Sequence, residues 1–239
     1  MGAMARRSTA RTVRERAREE LTNEIKEEAR RQLAEHGADA LSLRAISREL
    51  GMVSSALYRY FASRDALLTA LIIDAYNALG DACEQAEAAV ERDLLLERWR
   101  SIALATRRWA IDHPHEYALI YGTPVPGFAA PDDTIDPATR VPYLMLTLLV
   151  DIDAAVGGSP IAEPLPVDPL LAQQLEALVA NMPGPVDQAR LLQGLGAWAM
   201  VFGMINFELF GTFKNTFDEA EPLFRYQVDL MARHMGLVG

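Results

Sequence analysis

The sequence predicts an all-α chain in two parts, a compact three-helix unit over residues 1–62 and a larger helical unit over residues 63–239. Three observations predict it. Apolar residues recur at spacings of three and four along most of the chain. No stretch alternates with the period of two that a half-buried strand requires. Gly and Pro clusters interrupt the periodic stretches at intervals suited to helices. With 239 residues and 50% hydrophobic content, the chain can bury a sizeable core.

Residues 12–36 read as the first helix: Thr12 and Glu15 have capping-box spacing, and Ala17, Leu21, Ile25, Ala29 and Leu33 recur every four residues. Gly37 supplies the left-handed cap. A short second helix follows, with Ser42 as N-cap and Leu43, Ile46 and Leu50 on one face, and Gly51 ends it. A third short helix covers residues 54–60. Ser63 then caps a longer helix reaching about residue 91, with Leu67, Leu71, Tyr76 and Leu79 on its buried side. Beyond it, helices are expected over residues 93–112, 114–121, 137–156, 170–180, 186–213 and 219–235. Two Pro-rich loops, at residues 122–137 and 157–169, separate some of these, and loops of that length commonly act as lids or gates.

The overall charge of -10 argues against a nucleic-acid partner, but the average hides an asymmetry. Up to Arg64 there are 13 Lys and Arg against 9 Asp and Glu, a surplus of 4, which leaves 10 against 24, a deficit of 14, for the rest. The single cysteine, Cys83, excludes an internal disulfide framework, reads as a buried apolar residue, and points to a cytoplasmic protein. No secretory leader is evident. The apolar run over residues 194–213 approaches membrane-spanning length, but it contains Asn206 and Glu208, and a carboxylate there costs about 2.5 kcal/mol or more. No membrane span is expected.

Two very short helices joined around Gly51 and braced by a longer one describe a helix-turn-helix, whose second short helix enters a major groove. In that helix Ser54, Ser55, Ala56 and Arg59 can point outward while Leu57 and Phe61, four apart, pack inward. Arg59 can read guanine bidentately. Arg64 lies at a helix start, where the macrodipole disfavours a cation by roughly 0.3–1 kcal/mol, so it calls for an anion such as a DNA phosphate. Tyr58 and Tyr60 can donate hydroxyls to the backbone. An arm of Arg6, Arg7, Arg11, Arg14, Arg16 and Arg18 suits phosphates or a minor groove.

The run LSLRAISRELGMVSSALYRYFASRDALLTALI over residues 41–72 closely resembles the DNA-binding signature of the tetracycline-repressor (TetR) family. The resemblance places operator contacts on Ser42, Arg44, Ser54, Ser55, Ala56, Tyr58, Tyr60 and Arg64, with Gly51 as the turn. Val53 stands where the family often has a capping Ser, which leaves Ser54 to cap the helix. Arg64 stands where Lys is usual, and Ala45 replaces a commonly polar residue. The resemblance implies a helical ligand-binding and dimerisation domain after the helix-turn-helix, and double-stranded operator DNA as partner. The function it implies is a homodimeric repressor released by a small-molecule effector. The stretch WAIDHPHEYALIYGTPVPGF over residues 109–128 resembles one C-terminal subtype of such regulators and suggests no particular ligand.

Asp112, His113, His115 and Glu116 superficially offer metal ligands, but with four histidines in the chain and a Pro-broken helix start they read as a helix-boundary cluster. Neither a Gly-rich phosphate loop after a strand nor a nucleophile motif is evident, so no cofactor and no catalytic residue are expected. The last two helices are the expected dimer interface. Gly194, Gly196, Ala197, Ala199 and Gly203 are small enough for helices to approach closely, and Trp198, Phe202 and Phe210 share a face. An apolar effector pocket is expected among Trp109, Tyr117, Tyr121, Met145, Trp198, Phe202, Met204 and Asn206, with Tyr121 and Asn206 as polar anchors. The rival readings are a helical enzyme or carrier that retains a DNA-binding segment, and a ligand-independent DNA binder.

Overall fold

The computed structural model describes residues 12–157 and 166–237, and all regular structure among them is helical. Ten helices follow in order: α1 (Val13–His36), α2 (Leu43–Glu49), α3 (Ser54–Leu57), α4 (Arg64–Ala88), α5 (Leu95–Asp112), α6 (Pro114–Tyr121), α7 (Ile135–Val156), α8 (Pro169–Val179), α9 (Gln188–Leu209) and α10 (Glu221–His234). Single 3-10 turns lie at Ala38–Ala40 and Asp132–Thr134.

The caps fall where local chemistry dictates. Thr12 and Glu15 form a reciprocal capping box, Ser42 accepts from the Ala45 amide, and Ser63 accepts from the Ala66 amide. Gly37 ends α1 at φ 78°, a conformation that disfavours any residue with a Cβ. Differences from expectation concentrate at helix ends. α7 starts at Ile135 because Pro137 is tolerated in a first turn, where its missing N–H has no intrahelical role. α9 stops at Leu209, short of the expected residue 213, because Gly211 turns the chain at φ 79°. Phe210 therefore lies past the helix, 56% exposed, and does not share the face of Trp198 and Phe202.

Two apolar cores form. The first gathers Ile25, Ala29 and Leu33 of α1, Leu43 and Ile46 of α2, Leu57 and Phe61 around α3, and Leu67, Leu68, Leu71 and Ile72 of α4. The second is built on Ala75, Leu79 and Cys83 of the same α4, with Trp99, Ile102 and Trp109 of α5, Tyr117 of α6, and apolar residues of α7, α9 and α10. One continuous helix thus serves both cores. Among the described residues α4 alone is long and apolar enough to cross a membrane, but these apolar positions are spent on the two cores. The Cys83 thiol is fully buried, and burial pushes it up to about 11, so it is not a reactive thiolate.

Polar clamps tie the C-terminal body together. The Trp99 indole N–H donates to the Val228 carbonyl at 2.8 Å, joining α5 to α10. Arg107 grips Glu208 of α9 bidentately at 2.6 and 2.8 Å, and Arg100 bonds Asp229 of α10 at 2.7 Å. That bond holds the Asp229 carboxyl below its ordinary range. Arg98 is fully buried, with Nε 2.6 Å from Glu87 and Nη1 2.8 Å from Asp151.

Candidate nucleic-acid interface

The α2–α3 connection is a tight turn held from three sides. Gly51 adopts φ 62°, the Met52 amide donates to the Ser47 carbonyl at 2.8 Å, and the Ser47 and Ser54 hydroxyls share a hydrogen bond at 3.1 Å. Ser54 consequently does not cap α3. The N-cap is Val53, which contributes no side-chain hydrogen bond, because the Ser54 hydroxyl is directed back to α2. The α-helical stretch ends at Leu57, but amides continue to find carbonyls three and four residues back as far as Phe61, so residues 58–60 extend the same rod as tighter turns. Leu57 and Phe61 are buried and anchor it.

That anchoring leaves Ser54, Ser55, Tyr58 and Arg59 exposed, with Ala56 and Tyr60 half-buried beside them. Arg44 is exposed on α2, and Ser42 is half-buried because its hydroxyl is spent on the cap. Arg44, Arg48 and Arg59 enter no ion pair among the described residues, whereas Arg98, Arg100, Arg107 and Arg140 of the body are all committed to carboxylates. Among the described residues, uncommitted guanidinium charge therefore collects on the helix-turn-helix and the start of α1, with Arg233 of α10 the exception in the body, in a chain that is acidic overall.

Arg64 is partly committed. Its Nη2 donates to the Ala38 carbonyl at 2.8 Å and Nη1 lies 3.5 Å from Asp65, which pins the start of α4 to the 3-10 turn after α1. Its side chain remains 30% exposed. Arg14, Arg16 and Arg18 lie exposed on α1, and the Arg18 guanidinium sits 5.8 Å from the Tyr60 ring centroid, a cation–π distance. Arg6, Arg7 and Arg11 lie outside the described residues.

In the body, five of the expected pocket residues come together. The Tyr117 hydroxyl donates to Asn206 Oδ1 at 2.9 Å, and the Tyr121 ring stands 5.3 Å from Tyr117 and 4.6 Å from Phe202, which stacks on Trp198 at 5.5 Å. Burial holds both tyrosine hydroxyls well above their ordinary range, so both stay neutral, and that of Tyr117 donates to Asn206. Met145 adjoins the Trp198 end of this row, where the two side chains line a small apolar cavity of about 30 Å³ with Trp99, Leu149, Leu191 and Gly194. Trp109 packs against the His113 ring at 5.3 Å, and Met204 is half-buried against the second core.

A feature with little sequence signal is an open cleft of about 580 Å³ between the two units. Leu33, Ala38 and Asp39 line one side and His115, Leu119, Tyr121 and Phe210 the other. Tyr121 is shared between this cleft and the aromatic row. The acid-histidine cluster is spoken for within the chain: Glu116 receives Arg30 Nε at 3.0 Å and lies 3.0 Å from His113 Nδ1, while Asp112 lies 3.6 Å from Arg108. Among the described residues no three such groups converge as metal ligands.

Residues 25–71 match the family model described as bacterial regulatory proteins, tetR family, and residues 99–231 match the tetracyclin repressor-like C-terminal domain. The chain is 40% identical over 198 residues to the HTH-type transcriptional regulator Rv1816 of Mycobacterium tuberculosis, covering 82% of this chain and 84% of that protein. The solved structure of regulatory protein SCO4313 aligns with a TM-score of 0.75 at 34% identity, over 92% of this chain and 98% of that one. A protein of unknown function from Rhodococcus sp. RHA1 shares the fold, with a TM-score of 0.66 at 24% identity over 89% of this chain and 94% of its own.

Proposed function

This chain belongs to the TetR family of bacterial transcriptional regulators, and from that premise we propose that it is a cytoplasmic repressor that binds operator DNA as a homodimer and releases it when a small molecule occupies its helical body. The observation that carries the DNA reading is the concentration of uncommitted Arg44, Arg48 and Arg59 on the exposed side of α2 and α3. Phosphates recruit such cations, and α3 offers Ser54, Ser55, Ala56 and Arg59 to base edges while Tyr58, Tyr60 and Arg64 face the backbone. The working division is a reading unit over residues 1–62 and a regulatory unit over residues 63–239.

The dimer reading rests on an unpartnered apolar face. α9 exposes Leu195, Gly196, Ala199 and Phe207, and α10 exposes Tyr226 and Leu230. The small residues of α9 divide into two sets. A Cβ on Gly194 would stand 2.7 Å from Leu149 and Ala197 is buried, so these two serve packing within the chain, whereas a Cβ on Gly196 or Gly203 would meet nothing within 4 Å. Those outward glycines suit close approach of a second copy. Two copies related by a two-fold axis present two recognition helices to half-sites one turn apart, about 34–36 Å.

The effector is read as an apolar molecule with one or two polar groups, received along the row of Trp198, Phe202, Tyr121 and Tyr117 with Asn206 as polar neighbour. The small cavity beside Met145 and Trp198 holds little more than a water, so an effector there requires helices to part. Coupling of about 1.4 kcal/mol weakens operator binding tenfold, and reciprocity requires the operator to weaken effector binding equally.

Selection from a randomised duplex pool tests the function. It is expected to enrich a pseudo-palindrome bound by two chains, and enrichment of no sequence sinks the reading. Arg64→Ala is expected to flatten the slope of log K against log salt by about two, one phosphate per subunit, as measured by fluorescence anisotropy titration. An unchanged slope removes Arg64 from the backbone contacts. Arg59→Ala is expected instead to relax preference at one position per half-site by roughly 1–3 kcal/mol, and a uniform loss across sequences reassigns it to phosphate.

A further inference from the structure

Arg30, in the second half of α1, spreads its guanidinium over three carboxylates. Nη1 meets Glu27 of its own helix at 2.6 Å, Nη2 meets Asp74 of α4 at 2.9 Å, and Nε meets Glu116 of α6 at 3.0 Å. Both outer carboxylates are themselves held: Lys26 Nζ lies 2.9 Å from Asp74, and His113 Nδ1 lies 3.0 Å from the second oxygen of Glu116. The Arg30 side chain is 26% exposed and that of Glu116 19%, so the pair is partly shielded from water.

The location gives this cluster its meaning. α1 carries Ile25, Ala29 and Leu33 into the first core, the core that seats α2 and α3, while α6 belongs to the body through Tyr117. The same region also lays Leu119 and Ile120 of α6 and Val125 and Phe128 of the following loop on the first core, all apolar contacts. Apolar burial is non-directional and tolerates sliding. A planar guanidinium with donors in fixed directions does not, and engaging α4 and α6 at once defines the angle of α1 against the body.

We propose that Arg30 is a positioning residue for operator recognition, which sets the separation of the two recognition helices by fixing each reading unit against its body through Glu116. The proposal rests on the homodimeric operator reading. One base pair added between half-sites displaces them by on the order of 3.4 Å along the duplex and a tenth of a turn around it. A reading unit held at one angle resists that displacement, and one freed from Glu116 follows it.

The test uses the full-length chain and the duplex it enriches from a randomised pool, together with derivatives carrying one base pair more or fewer between half-sites. Arg30→Ala and the isosteric Glu116→Gln are each expected to shrink the preference for the original spacing about tenfold, while affinity for an isolated half-site moves less than about twofold. Arg30→Lys, a point charge that cannot fork across α4 and α6, is expected to fall between. An unchanged spacing profile in Glu116→Gln overturns the positioning role and leaves the operator reading intact, as does a loss equal at every spacing. A pool that enriches no duplex for the unsubstituted chain overturns the operator reading and this proposal with it.

Discussion

Gly203→Trp is expected to give a folded monomer with roughly a thousandfold weaker hold on the operator. A Cβ at Gly203 meets no atom within 4 Å in the isolated chain, so a side chain can leave the helix there without a clash at its root, and replacing glycine in a helix interior improves helix propensity by a few tenths of a kcal/mol. Far-UV circular dichroism of the isolated chain should therefore be unchanged. In the proposed dimer the same indole would stand where two α9 helices approach closely. Losing the dimer separates two half-site contacts that were linked, and linkage of this kind contributes about 10²–10⁴ in apparent affinity. Sedimentation velocity with anisotropy titration on the enriched duplex provides the check. A stable dimer of unchanged affinity would move the interface to another face.

The second large effect is on stability. Arg98→Leu leaves Glu87 and Asp151 facing each other without the guanidinium that lies between them, and the Glu87 side chain is only 10% exposed. Breaking a buried pair by removing one partner costs about 3–5 kcal/mol, because the remaining charge stays desolvated. The low end is expected here, about 3 kcal/mol, since Arg92 still lies 3.4 Å from Glu87 and 2.7 Å from Asp151 on the exposed side. Urea unfolding at fixed protein concentration measures it, because a dimer's midpoint moves with concentration. The double substitution Arg98→Leu with Glu87→Leu should recover much of the loss, as apolar replacements of buried ion pairs often do. A single-variant cost under about 1 kcal/mol would show that water reaches this site.

Legibility in the sequence followed the range of the interaction. Thr12 with Glu15, Ser42 with Ala45 and Ser63 with Ala66 are partners three residues apart, and each was readable as a cap. The same holds for Gly51 in its turn and for Leu57 and Phe61 as the inward face of the third helix. Expectation failed where a side chain had a choice of partner. Ser54 could cap α3 or bond Ser47, seven residues back, and the folded turn decided for Ser47. Phe210 was placed with Trp198 and Phe202 by counting fours through a helix that Gly211 ends first. Five of the expected pocket residues did gather, because α6 and α9 face each other, with Met145 touching the group only at its Trp198 end and Trp109 packed instead against His113.

The sequence by itself determined that this chain is helical, where most of its helices begin, and that a helix-turn-helix of the TetR type opens it. Each of those properties is encoded in residues within about one or two helical turns of each other. Only the tertiary structure decided which arginines are free and which are consumed. Arg30 meets Glu116 across 86 residues, Arg107 meets Glu208 across 101, and Arg100 meets Asp229 across 129, whereas Arg44, Arg48 and Arg59 meet no carboxylate among the described residues. Formal charge is a property of the residue, but available charge depends on what the fold brings within about 4 Å, and local periodicity carries no record of that distance.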